Sequence, residues 1–104
     1  MWTWGYNGQG QLGDGTLTER WAPVRIGADR SWITAGIGSW HAIAISTDGS
    51  MWGWGVNDGG QVGDGTRIQR LSPTRLGTAN DWAQVSVGRA HALALKTDGS
   101  LWTW

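Results

Sequence analysis

Apolar residues in this chain recur at every second position in short runs. Nowhere do they take the three-to-four spacing of an amphipathic helix, so the pattern predicts strands. Trp2-Thr3-Trp4 opens it, and a polar, Gly-rich stretch from Gly5 to about Thr18 interrupts it. Ala22-Pro23-Val24-Arg25-Ile26 resumes it, followed by Trp32–Ile37, which is rich in β-branched and aromatic residues. His41–Ser46 then runs through Thr-Asp-Gly-Ser into a second Trp-x-Trp at 52–54. Each period predicts four short strands and no helix. Pro23 has no amide hydrogen to give a ladder, so its strand belongs at a sheet edge, where Arg25 also discourages pairing with outside strands. The dense glycines after Trp4 predict a loop.

The pattern occurs twice. Residues 1–50 align with 51–100 without a gap and are identical at 24 of 50 positions, and Leu101–Trp104 then repeats Met1–Trp4. One module of two tandem repeats (1–50 and 51–100), with a duplicated strand at 101–104, is the expected organisation of residues 1–104. Asp48-Gly49 and Asp98-Gly99 each predict a two-residue type I′ hairpin turn. That turn sets Leu95 opposite Trp102 and Leu93 opposite Trp104. Leu93, Leu95, Trp102 and Trp104 then share one bulky face, and Ala92, Ala94 and Thr103 share a shallow one. In the first copy Ile43, Ile45, Trp52 and Trp54 oppose Ala42, Ala44 and Gly53. Sheets of this kind stack bulky face onto shallow face, head to tail.

Composition changes the picture in two places: ten Trp without a Phe, and eighteen Gly. Glycine raises the entropic cost of folding. A fully buried Trp, at about 150–250 Å² and about 25 cal/mol per Å², contributes at most about 4–6 kcal/mol. Folding therefore needs most of the Trp residues to find partners. The net charge is zero and there is no Cys, which removes disulfides and thiolate metal sites. No basic stripe suits nucleic acid, no apolar run suits a membrane span, and the start of the chain does not read as a signal peptide. No compartment follows from this.

Trp52–Gly55, Gly60–Thr66, Gly88–Leu95 and Asp98–Ser100, with their first-copy equivalents, make a motif set in fixed order over the whole chain. It resembles the regulator of chromosome condensation repeats, with a regularity closer to bacterial members. The resemblance implies an all-β fold of four-stranded antiparallel β-propeller blades. It maps an inner strand near 32–37, then 41–46 and 50–56, and an outer strand near 72–76. Residues 1–26 would supply two outer strands of another blade, and 82–104 the inner strands of a third. Two repeats do not close a ring, since propellers carry about 4–8 blades. Head-to-tail contacts close when the rotation allows. The expected partner is the chain itself, as a trimer with six blades or a tetramer with eight. The in-phase ends suit an excised or designed piece as well as a natural gene.

Expected assembly residues between blades are Trp2, Trp4, Trp52, Trp54, Trp102, Trp104, Ile43, Ile45, Leu93, Leu95, His41 and His91. The resemblance gives the two histidines a structural role. Asp14 and Asp64 each offer one carboxylate where a calcium loop needs several oxygens, so they read as turn-stabilising residues. Gly8-x-Gly10-x-x-Gly13 lacks the strand–helix setting of a dinucleotide site. No catalytic, cofactor or metal residues are expected, and the chain does not read as an enzyme. Trp21 and Trp40 break the repeat, facing Leu71 and Ala90 in the alignment, and are candidates for exposed binding of a protein or glycan. A self-assembling structural and binding module is the expected function, with a lectin-like multivalent ring as the alternative. Guanine-nucleotide exchange and chromatin binding, known for eukaryotic members, would need a full propeller with insertions.

Overall fold

The computed structural model describes residues 1–104 as strands and loops alone. In chain order the strands are β1 (Trp2–Gly5), β2 (Arg20–Arg25), β3 (Trp32–Ile37), β4 (His41–Ser46) and β5 (Met51–Gly55). There follow β6 (Arg70–Arg75), β7 (Trp82–Val87), β8 (Ala92–Lys96) and β9 (Leu101–Thr103). They form three antiparallel sheets, ordered β1-β2, β3-β4-β5-β6 and β7-β8-β9. The middle sheet is a complete blade, with the proline strand outermost as expected. The first sheet is the outer half of a blade, and the last is the inner three strands of another.

Pairing within blades repeats residue for residue. Trp2 faces Arg25 as Trp52 faces Arg75, and Gly5 faces Arg20 as Gly55 faces Arg70, each time across a bulge. Gly55 has φ 102°. A Cβ there would come within 2.4 Å of the Trp40 carbonyl oxygen, so both conformation and space require glycine.

The hairpins depart from the expected turn. Ser46 N–H donates to Ser50 O and Gly49 N–H to Ser46 O; Lys96, Ser100 and Gly99 repeat this. Three residues form each loop, and only the glycine has positive φ, 83° at Gly49 and 87° at Gly99. A type I′ turn needs positive φ at the aspartate too. Instead the Asp48 carboxylate accepts from Ser50 N–H at 3.0 Å and Ser50 Oγ at 2.6 Å, and from Ser46 Oγ, wrapping the turn around itself. The longer loop slips the register by one residue, which moves each side chain to the other face. Ala42 pairs with Trp54, Ala44 with Trp52 and Ala94 with Trp102. The expected faces are corrected accordingly: the Trp residues share a face with the alanines, and Ile43, Ile45, Met51 and Gly53 occupy the other.

Both faces of the middle blade are covered, and β4 is buried at every position. Ala42, Ala44 and Trp54 pack with Met1 and Trp32 on one side. Ile43, Ile45, Met51, Val62 and Leu76 meet Trp82, Ala92 and Ala94 on the other. An Ala/Trp face thus always looks to the preceding blade and an aliphatic face to the next. Of the ten Trp residues only Trp54 and Trp82 are buried, while Trp2, Trp4, Trp21, Trp40 and Trp102 are exposed. Most nonetheless find partners inside the chain: Trp32 packs edge-on to Trp54, Trp82 to Trp102 and Trp40 to Tyr6, Trp52 bonds Ser50 Oγ and Trp104 bonds Gln61 O, while Trp2, Trp4 and Trp21 stand exposed.

The turn glycines offer a matched pair for testing the packing between blades. Gly99 has open space around it, whereas a Cβ on Gly49 would lie 1.9 Å from the Asn80 carbonyl oxygen of the next blade's connection. Gly99→Ala is expected to cost about 1–2 kcal/mol from backbone strain alone. Gly49→Ala should cost about 1–3 kcal/mol more through overpacking, as read by urea unfolding.

Candidate functional site: the seam between blades

The first two blades each carry a long loop between their third and fourth strands, residues 6–19 in the first copy and 56–69 in the second. A polar hub holds it. Asn7, fully buried, gives its amide Nδ2 to Thr16 O at 2.9 Å, Thr18 O at 3.0 Å and Asp14 Oδ1 at 3.1 Å. Its Oδ1 accepts Leu12 N–H at 3.0 Å. Asp14 in turn accepts Thr16 N–H and Oγ1, at 2.9 and 2.6 Å, and Arg20 Nε at 2.7 Å. Asn57, Asp64, Thr66 and Arg70 repeat the arrangement. Burial raises the Asp14 and Asp64 carboxyls, but the hydrogen bonds from threonine, arginine and asparagine outweigh it and hold each at about 2. Both carboxylates are spent on their own loops, and no three His, Asp or Glu side chains gather as a metal cluster. The glycine run of the first loop follows β1, which is antiparallel to β2, and leads into that strand and not a helix.

So fixed, the loop folds over its own blade's aliphatic face and offers a seat to the next. A Cβ on Gly53 would be 2.9 Å from the Val62 carbonyl oxygen, so the loop lies directly on the strand there. The Trp54 indole donates to Gln11 O at 2.9 Å, and Trp104 to Gln61 O at 3.1 Å. Each indole lies on a loop glycine: a Cβ on Gly13 would be 2.6 Å from Trp54 Nε1, and on Gly63 2.5 Å from Trp104 Nε1. Farther out, Gly15 N–H donates to Leu71 O at 2.8 Å and Gln69 Nε2 to Gln9 O at 2.7 Å. The loop of one blade therefore clasps the outer strand of the next.

The expected assembly residues divide by which of them have this seam. Ile43, Ile45, Trp54 and His41 are buried in it, and Trp104 is half-buried. Trp52 bonds its own turn at Ser50 Oγ and lies beneath the Arg30 guanidinium, 3.8 Å away. Trp2, Trp4, Trp102, Leu93 and His91 are exposed, and Leu95 is half-buried. Neither His41 ring nitrogen has a hydrogen-bond partner. Burial first, and the charge of His91 second, push its pKa down, against a smaller opposing effect of the His91 backbone. The lowered pKa favours the neutral form of the ring. Trp40 packs edge-on to Tyr6, with ring centroids 5.9 Å apart, and stays 44% exposed. Trp21 on β2 is 93% exposed. Sequence reasoning missed the hub asparagines, whose only signal was recurrence of one polar residue at 7 and 57.

A four-stranded sheet flanked by part-sheets and joined through one repeated indole-on-loop contact defines an open segment of a β-propeller. The chain belongs to the Regulator of chromosome condensation (RCC1) repeat family: its model matches residues 1–45 and 48–95, and a second model of that description matches 33–61. Human WBSCR16 has the same fold over 99% of this chain, with a TM-score of 0.89 and 24% identity. Prp20p from Saccharomyces cerevisiae, in a structure reported with its binding properties to Gsp1p and histones, matches over 99% at 0.82 and 23%. Yeast RCC1 (Prp20) bound by Kap60 matches over 99% at 0.80 and 24%. The chain spans only 27%, 28% and 27% of those three chains.

Removing the hub should undo the seam. Asn57→Ala strands the buried Val62 N–H and is expected to cost about 1–3 kcal/mol, measured by denaturant unfolding. The depressed Asp14 and Asp64 contribute stability that is complete above their ordinary value of 3.8 and lost as pH falls through about 2. Between those limits the melting temperature of the parent should fall more steeply than that of an Asp14→Asn/Asp64→Asn double variant.

Proposed function

We propose that the chain is a structural and binding module without catalytic activity, a two-repeat propeller segment with a duplicated strand that completes its ring with copies of itself. One observation carries this reading: the seam formed inside the chain is offered again, half-made, at both ends. Trp4 is 60% exposed with no loop to receive its indole, and at the other end Leu93 and Leu101 stand on a bare aliphatic face, 37% and 61% exposed. The donor lies at one end and the aliphatic face at the other, so the contact is heterologous and propagates head to tail. Three copies give six blades and four give eight. Binding residues are disproportionately carried on loops held by a rigid scaffold, and the long loops of this chain are residues 6–19 and 56–69. Prp20p, with binding to Gsp1p and histones, and its Kap60 complex make a protein the partner class to test first.

Native mass spectrometry and light scattering on the isolated chain test the assembly. A particle of three or four times 11.2 kDa is the expected result. A monodisperse single chain at all concentrations contradicts it.

A further inference from the structure

The two polar hubs differ in the residue that follows their asparagine. Asn7 precedes Gly8, whereas Asn57 precedes Asp58, and Asn80, outside the hubs, precedes Asp81. Glycine leaves its amide nitrogen unhindered, so an asparagine before it can close a cyclic imide on itself. A side chain on the following residue crowds that closure. We propose that Asn7-Gly8 is a site of spontaneous deamidation, gated by opening of the first loop. Its product does not rebuild the hub, so the first seam is released and the second is left intact.

The reaction needs water alone. Gly8 N attacks Asn7 Cγ, a new C–N bond forms, and the side-chain nitrogen leaves as ammonia. Water then opens the imide at either carbonyl, giving aspartate or isoaspartate at position 7, and nothing is oxidised or reduced. In the folded loop the nucleophile is free and the electrophile is held. Gly8 N–H makes no hydrogen bond, but the Asn7 carboxamide is fully buried and fixed through both its nitrogen and its oxygen. Nδ2 gives to Thr16 O, Thr18 O and Asp14 Oδ1, and Oδ1 accepts Leu12 N–H. Cγ does not reach Gly8 N until those bonds break. The rate therefore follows the population of the opened loop.

Once the amide is an acid, the loop does not reclose. A carboxylate keeps Leu12 N–H but has no hydrogen for the oxygens that Nδ2 served. One of them is Asp14 Oδ1, 3.1 Å away, on a carboxyl held ionised by its own hydrogen bonds. Two buried carboxylates at that distance repel. Isoaspartate fits worse, since the main chain then runs through Cγ and displaces the hub atoms. The loop that loses its hub carries Gln11 O and Gly13, on which Trp54 sits, and Gly15, which clasps Leu71 O.

The test is to age the purified chain in mildly alkaline buffer, with and without urea below its unfolding transition. Peptide mapping then distinguishes asparagine, aspartate and isoaspartate. Acid is expected at position 7 roughly tenfold or more faster than at Asn57 or Asn80, because only there does glycine follow. Urea should speed it. Tyr6→Val/Gly8→Asp gives the first loop the residues of the second and removes the Tyr6 hydroxyl that a side chain at position 8 would meet. It should slow the reaction by a similar factor. Hydrogen exchange at the indoles reads the consequence: in Asn7→Asp the Trp54 N–H should exchange faster and the Trp104 N–H should not change. If that variant does not fold, the deamidated fraction of the parent, separated by ion exchange on its added charge, carries this readout. Equal rates at the three asparagines overturn the site, a rate indifferent to urea overturns the gating, and an unchanged Trp54 indole overturns the release.

Discussion

An indole laid across a glycine joins one blade to the next, and the rest of the molecule is arranged to permit it. The position must be glycine twice over. Gly13 has φ 75° and Gly63 φ 87°, where L side chains are strained, and any Cβ would enter the ring. The indole N–H would be an orphan if buried without a partner, and the glutamine carbonyl two residues before the glycine receives it. Donor and acceptor lie on different blades, so the contact has a direction. That direction gives the chain unlike ends, one presenting indoles and the other a bare aliphatic face.

The lock works only if the loop carrying the glycine is rigid before the indole arrives. A loop of this length without secondary structure is ordinarily a liability. Here a buried asparagine stands in for a hydrophobic core, drawing both ends of the loop onto one amide group. The aspartate completes the hub and ties it to the arginine that opens the outer strand. Buried polar groups cost free energy unless satisfied, and these are satisfied almost entirely by their own loop. Each repeat therefore brings a finished receptor for its neighbour, which explains why so few apolar residues suffice to join blades.

Much of this was legible in the sequence. Period-two runs located the strands, the gapless repeat fixed the unit, and proline placed β2 and β6 at an edge. The faces were misread, and for one reason. Asp-Gly between strands fits a two-residue turn by composition, but the following serine lets the aspartate cap a three-residue turn, and one residue of register exchanges the faces. Ser46 and Ser50 around Asp48 were the available signal. The hub asparagines went unseen because burial of a polar side chain is a tertiary fact. The exposure of Trp2 and Trp4 was hidden for the opposite reason: they stand on the face of the first sheet that looks away from the middle blade.

That last point joins stability to assembly. A chain whose outward faces are bare keeps only part of the burial its repeat is built for, and whatever covers those faces stabilises the fold by mass action. Unpaired strand edges and exposed indoles also invite wrong partners. A heterologous contact that misses closure grows into a fibre and not a ring.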